Sequence, residues 1–434
     1  MFSSIMSKLK SILHNPTVSN AKWMIGEQLV QMVISLLLGV ATARYLAPTN
    51  YGVINYCAAY VAFFTSVCTL GLEGIIIKEM VAHREEEGTI IGTGLVMRLA
   101  ASALSIGLIQ LILLIMNPGD TLRLVVAFLQ SVVLLFRAFE LLDFWFQSHL
   151  RSKYVAIIKS ISYFLVAAYK VYILASGKSV EWFAFSTSLD FLLIAIMLPI
   201  AYFKKGGKAL RFSFPMAKRL LGQSYHFILS GLIVTLYSQM DKIMIGQMLD
   251  DTQVGLYSAA LTICNYWVLI PVAMINSARP TIMEAKSAGR QELYEKRIRR
   301  LYALLIWVGI AVSLVVSIAS PLIIFILYGK AYAPAASALS IAIWYTTFST
   351  LGTARGIWIV CEDKNTYVKK YVLWGALVNL VFNFLFIPLL GINGAALATL
   401  ITQIFTCVLA PMLYKQTRDH TRLLVQAFLL KGIK

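Results

Sequence analysis

Twelve apolar runs, most of them near twenty residues long, leave this chain of 434 residues few folds to adopt. A helix needs about 20 apolar residues to cross a bilayer core roughly 30 Å thick, and it satisfies every backbone group internally while doing so. The runs lie at about residues 23–43, 53–77, 89–116, 122–147, 154–175, 181–203, 223–247, 254–283, 301–328, 332–360, 366–388 and 391–414. A membrane β-barrel would show alternating segments of about ten residues instead. Hydrophobic residues make up 59% of the chain and charged ones 13%, about half the charge of a water-soluble protein. The sequence therefore predicts an all-α polytopic membrane protein.

The net charge of +18 would suggest nucleic acid in a soluble chain. Here the basic residues mostly sit between apolar runs, which is a topological signal and argues for no nucleic-acid partner. Six Lys and Arg fall in 204–222 and six more in 284–300, whereas the odd-numbered connections hold only Arg44, Arg123, Lys178 and Lys330. That asymmetry predicts a multi-pass protein with both termini and every basic connection in the cytoplasm. The reading divides the chain into a surface segment 1–22, helices 23–203, a basic linker 204–222, helices 223–414 and a cytoplasmic tail 415–434. Residues 1–20 read as a short helix on the membrane surface and not as a signal peptide. The tail, with Leu423, Leu424, Phe428, Leu429 and Leu430 among basic residues, reads as a surface helix. Five scattered cysteines lack disulfide or metal spacing, and no enzyme signature, metal motif or cofactor motif is present.

The chain repeats itself. Leu46, Thr49 and Gly52 recur as Leu249, Thr252 and Gly255, an offset of 203 residues, and Trp145, Tyr154 and Val155 recur as Trp358, Tyr367 and Val368, an offset of 213. Six spans per half is an even number, so the halves run parallel. The sequence thus predicts two six-helix lobes around a central cavity, related by a pseudo-two-fold axis along the membrane normal.

Charges inside the spans mark the candidate site, because each costs roughly 2.5–3.5 kcal/mol at mid-membrane. The stretch Leu134–Val155 carries Arg137, Glu140 and Asp143, whose spacing predicts one shared helix sector. Arg98 and Arg137 are deep enough to serve as cations for an anionic substrate, with Arg355, Arg279 and Lys242 as shallower candidates. Glu140, Asp143, Asp190, Asp241, Glu73 and Glu27 are the titratable partners or ion-coupling groups. Asp190 is placed to pair with Arg98 or Arg137, or to bind a coupling proton or sodium ion. Asp241 and Lys242, being adjacent, should serve different neighbours.

The segments 44–52 (RYLAPTNYG), 71–80 (GLEGIIIKEM), 239–248 (QMDKIMIGQM), 254–260 (VGLYSAA) and 391–399 (GINGAALAT) occur in an order that resembles the Wzx-type O-antigen flippases. These belong to the multidrug/oligosaccharidyl-lipid/polysaccharide exporter superfamily, and the resemblance spans about Asn15 to Tyr414. It implies a transporter and not an enzyme, in a bacterial inner membrane, serving lipopolysaccharide or another surface polysaccharide. Its cargo would be undecaprenyl-pyrophosphate carrying a short oligosaccharide, turned from the inner to the outer leaflet by alternating access. Membrane lipids, a proton or sodium ion and polysaccharide polymerase machinery are the implied partners. The related lipid II flippases resemble a fourteen-helix version, which argues against lipid II as cargo. A cation-coupled multidrug exporter of the same superfamily is the alternative, and it would prefer a lumen of negative charge.

Overall fold

The computed structural model describes the backbone of residues 16–432 and the side chains of residues 31–432. The side chains of the expected surface segment 1–22 and of Glu27 lie outside the described residues. Within them every regular element is a helix: α1 (Pro16–Cys68), α2 (Glu73–Ala82), α3 (Glu87–Met116), α4 (Thr121–Ser131), α5 (Val133–Arg137), α6 (Leu141–Ser148), α7 (Ser152–Ala175), α8 (Val180–Lys204), α9 (Phe214–Met248), α10 (Asp251–Ser287), α11 (Gln291–Tyr328), α12 (Ala335–Cys361), α13 (Thr366–Leu390), α14 (Ile392–Ile404), α15 (Ala410–Leu413) and α16 (Arg418–Phe428).

Among the described residues ten stretches are long and apolar enough to cross a bilayer, against the twelve expected. The first, Gln31–Ala82, takes in two expected spans, because α1 turns sharply at Ala47 (φ 59°, ψ 170°) before Pro48. Proline disfavours a helical residue before it and offers no N–H, so the bend belongs there. The expected span 332–360 is the 27-residue helix α12, which lies outside the ten. Its hydroxyl residues, Thr346, Thr347 and Thr350 among them, and Arg355 dilute its apolar character.

Two expected boundaries shift. The linker 204–222 is shorter than expected, because Ser213 caps α9 and Pro215 occupies its first turn. The basic stretch 284–300 is mostly helix, since α10 runs to Ser287 and α11 begins at Gln291. Charged residues there extend the helices beyond their apolar portions. The tail does form a helix, α16, whose Leu423, Leu424 and Ala427 are buried.

The repeat is visible in three dimensions. Trp145 and Trp358 are both buried, and five residues after each comes a left-handed residue, Leu150 and Asp363, each at φ 54°. The next N–H then closes the same turn: Arg151 donates to the Phe146 carbonyl at 2.7 Å and Lys364 to that of Ile359 at 2.9 Å. The other repeat makes contact with its own copy. Thr49 Oγ1 meets Thr252 Oγ1 at 2.9 Å. A Cβ on Gly52 would fall 1.7 Å from the Asp251 carbonyl oxygen, and one on Gly255 would fall 2.0 Å from that of Pro48. These contacts exchange under the 203-residue offset, so the pseudo-two-fold axis passes between the two glycines.

Around this crossing the halves are bound together at the end of the molecule that holds the charge-poor connections. Arg123 Nη2 pairs with Asp251 at 2.9 Å, Tyr332 donates to the Ala43 carbonyl at 2.7 Å, and Gln247 donates to Tyr56. The largest buried apolar cluster spans the seam, with Tyr56 and Ala43 from one half and Tyr257 and Ala342 from the other. At the basic end the core instead divides. One cluster lies in the C-terminal half around Tyr302, Trp358 and Leu424, and another lies in the N-terminal half around Leu141, Trp145 and Tyr202. The first turns of α9, with Met216 and Leu220, pack into the N-terminal cluster. α9 is therefore the beam that joins both halves.

In a background with the native cysteines replaced, Thr49→Cys and Thr252→Cys together should cross-link under mild oxidation. Adding Gly255→Val should suppress that cross-link, because a side chain there meets the Pro48 carbonyl. Cross-linking unaffected by the valine, read on a denaturing gel, would show that the halves do not meet at the glycines.

Candidate functional site

The second expected span is interrupted. α1 ends at Cys68 and α2 begins at Glu73, with Leu70 (φ 52°) and Gly71 (φ 57°) left-handed between them. Gly71 is required twice, for its conformation and because a Cβ would come within 2.5 Å of Phe227 Cβ on α9. Just beyond this close crossing the two helices part, leaving a half-open cavity of about 880 Å³ lined by Gly71, Glu73, Gly74, Ile75, Ile77 and Lys78 from α2 and its preceding break, and by Gln223 and Phe227 from α9. Irregular backbone at membrane depth is tolerated where it lines such a space.

Behind the break lies the deepest cation. Arg98 on α3 is 4% exposed, its Nε has no hydrogen-bond partner, and its guanidinium sits 5.6 Å from the centre of the Phe144 ring. Arg137 shares a narrow crevice with it, walled by Thr65, Cys68, Thr69 and Leu134. Arg137 is better satisfied: Nε donates to Glu140 at 3.1 Å, and the guanidinium lies 4.9 Å from the Phe191 ring centre. Glu140, Arg137 and Glu73 supply the local field at Arg98. A buried guanidinium without a direct anionic partner is costly, and an aromatic face offsets only part of that cost. An incoming anion would supply what is missing.

Local winding decides which charges join this cluster. Ala138–Glu140 is a 3-10 turn, in which residues three apart eclipse, so Arg137 and Glu140 face one another. Return to α-helix at Leu141 swings Asp143 away, and it pairs instead with Lys159 of α7 at 2.8 Å. The single sector expected for Arg137, Glu140 and Asp143 thus holds only the first two. Asp190 pairs with neither arginine; it accepts from Ser162 Oγ at 2.6 Å.

The remaining expected residues lie elsewhere. Arg279 is exposed on α10, and Lys242 is half-buried on α9 beside Asp241. Arg355 donates to the Thr406 carbonyl, on the π-turn Phe405–Leu409, and sits 4.5 Å from the Tyr371 ring centre. Asp241 anchors a buried network in the C-terminal half. It accepts from Tyr257 at 2.7 Å, Asn383 at 2.6 Å and Thr399 at 2.5 Å, and the Asn383 Oδ1 is left without a donor. Four helices, α9, α10, α13 and α14, converge on that carboxylate.

One cluster escapes the reading of spans. Glu79 on α2 is 4% exposed, pairs with Arg219 of α9, accepts from Gln223 at 3.0 Å and lies 3.5 Å from His83 Nδ1. It links the two halves at the basic-end mouth of the cavity. It lies just past the expected span 53–77, and its position one turn after Ile75 and Ile76, both buried, is the available signal that it faces inward.

If this pair holds the mouth shut, Arg219→Glu should speed labelling of a Gly74→Cys variant by a water-soluble maleimide several-fold. Combining it with Glu79→Arg should restore the slow rate. Equal rates in all three proteins would show that the pair holds nothing.

A family model described as polysaccharide biosynthesis protein matches residues 17–286, and a second, MatE, matches 227–385. The probable flippase AglR of Haloferax volcanii is 24% identical over 180 residues, which is 40% of this chain and 37% of that protein. The chain thus spans little more than a third of that relative's length. Among solved structures, the lipid II flippase MurJ in an inward closed conformation superposes with a TM-score of 0.73 at 14% identity, covering 93% of this chain and 90% of that one. An inward-facing multidrug resistance MATE family transporter of the MOP superfamily gives 0.68 at 13% identity, over 91% and 96%. An outward-facing one gives 0.53 at 13% identity, over 92% and 94%. The fold is that of this transporter superfamily.

Proposed function

The chain belongs to the polysaccharide biosynthesis protein family, and from that premise we propose that it flips undecaprenyl-pyrophosphate-linked oligosaccharide across the bacterial cytoplasmic membrane. The direction is from the cytoplasmic to the outer leaflet, with the basic end and both termini in the cytoplasm. The observation that carries the cargo class is Arg98: a buried cation without an ion-pair partner, beside Arg137 in a crevice walled by Cys68 and Thr69, on one side of the helix break whose Gly71 and Glu73 line the cavity. Its missing partner is the diphosphate. Lys78 at the cavity wall would meet the same charge, while Glu73 and Gln223 offer hydrogen bonds to sugar hydroxyls.

Transport then follows from differential binding. The halves join at the charge-poor end and part at the basic end, so substrate enters from the cytoplasmic side. The Glu79–Arg219 pair, formed in this structure, would part to admit substrate and re-form behind it, and the opposite seal at Gly52 and Gly255 must open for release. Asp241, with Asn383 and Thr399 around it, is the carboxylate best built to take up a proton or sodium ion during that exchange. The product, a repeat unit in the outer leaflet, is ready for a polymerising enzyme. No covalent chemistry is required. The multidrug exporter reading gains support from the MatE match in the C-terminal half, but cationic drugs would meet Lys78 at this cavity and Arg98 and Arg137 in the crevice behind the helix break.

In cells lacking the gene, lipid-linked oligosaccharide should accumulate on the cytoplasmic side and surface polysaccharide should be lost. The gene should rescue both, whereas Arg98→Gln at normal abundance should transport at least tenfold more slowly. Wild-type transport by Arg98→Gln would remove the diphosphate role, and normal surface glycan with new drug sensitivity in the deletion strain would favour the exporter.

A further inference from the structure

The last span ends at Leu413 and α16 begins at Arg418, so this helix lies against the basic end of the membrane bundle. One face is packed: His420, Leu423, Leu424 and Ala427 are buried, with the His420 ring 5.6 Å from Trp358 and 5.5 Å from Tyr302. Beside that face runs a groove of about 610 Å³. It is lined along one helical stripe by Arg418, Arg422, Val425 and Leu429, with Met412 of the last span and Lys431 beyond the helix completing it.

Its chemistry is two-sided. Val425 and Leu429 are 48% and 52% exposed, and Met412 is also exposed, so an apolar wall stands open beside three cations. Arg418 Nε donates to the Met412 carbonyl at 3.1 Å, which fixes the guanidinium at the groove while leaving its other nitrogens without a protein acceptor. Arg422 and Lys431 make no ion pair among the described residues. Thr421, only 6% exposed, also lines the groove, and its Oγ1 is buried without a partner. A buried hydroxyl, three unneutralised cations and an open apolar wall suit one occupant: an amphiphile with an anionic oxygen cluster, held at the depth where bilayer becomes water. A free anion would leave the apolar wall in water, and a neutral lipid would leave the cations unpaired.

We propose that this groove binds an acidic phospholipid, its headgroup phosphate on Arg418, Arg422 and Lys431 with Thr421 donating to it, and an acyl chain along Met412, Val425 and Leu429. The site is separate from the transport cavity, with which it shares no lining residue. It would tie α16, and through His420 the ends of α11 and α12, to the lipid of that leaflet.

The purified full-length protein in mild detergent would be offered phosphatidylglycerol, phosphatidylcholine or inorganic phosphate, and retained lipid counted by native mass spectrometry. Wild-type protein should retain phosphatidylglycerol more than tenfold over phosphatidylcholine, and inorganic phosphate at millimolar concentration should not displace it. Arg418→Gln, Arg422→Gln and Lys431→Gln together should abolish that preference, while the equal charge change Lys153→Gln, Lys204→Gln and Arg290→Gln should preserve it. Thr421→Val, nearly isosteric, should weaken retention several-fold and covers the case in which the triple variant does not fold. Unchanged phosphatidylglycerol retention in both the triple and the Thr421→Val proteins, or equal retention of phosphatidylcholine by wild type, would overturn the proposal. Displacement by inorganic phosphate would overturn it in favour of a plain anion site.

Discussion

The structure depends on two backbones passing in contact at Gly52 and Gly255. Any side chain at either position would collide with the carbonyl of Asp251 or Pro48, so only glycine permits the crossing. Because the same residues serve both sides of the contact, it places the pseudo-two-fold axis and sets the halves' spacing at the charge-poor end. The accompanying links, Thr49 to Thr252 and Arg123 to Asp251, are polar. Such links exchange for water at a net cost of about 1 kcal/mol each, so the seal is firm without being permanent. The division of the buried core is the other half of this arrangement. One cluster bridges the seam where the glycines meet, and two separate clusters lie where the cavity opens.

The cavity owes its character to one interruption. A continuous helix from Pro48 to Ala82 would present a regular wall to α9. The left-handed pair Leu70 and Gly71 breaks that wall at the level of Arg98 and Arg137. The break brings α2 against Phe227 and leaves the arginine crevice beside it. Arg137 has Glu140, Asp143 has Lys159, and Asp190 has Ser162, so most intramembrane charge is internally matched. Arg98, 4% exposed and with its Nε unpartnered, is not matched in this way, and the proposed diphosphate role rests on it.

Depth along a helix was legible in the sequence, and direction around it was not. The helical membrane fold, the parallel halves and the choice of Arg98 and Arg137 as candidates all rest on position within apolar runs, and the structure places those two arginines in one crevice. The repeat was legible because Thr49 and Thr252, like Trp145 and Trp358, keep their spacing. What failed depends on azimuth or on neighbours from distant sequence. Asp143 turned away because a 3-10 turn precedes it, and Asp190 found Ser162 because α7 lies nearer than α3. Glu79 is not among the sequence candidates, since it lies past the expected span 53–77 and its partner Arg219 is 140 residues away. The stretch 284–300 read as a loop because polarity was taken for irregularity, whereas helices there simply project past the apolar zone.

The central claim is that Arg98 lacks a partner in the protein because the cargo's diphosphate supplies it. The most direct test is the affinity of the purified protein for undecaprenyl pyrophosphate, measured by calorimetry in wild type and in Arg98→Gln. Removing one side of a buried charge pair costs about 2–5 kcal/mol, so binding should weaken at least tenfold. Undecaprenol, the same lipid without phosphate, should bind both proteins alike. Equal affinity of both proteins for the pyrophosphate would contradict the account.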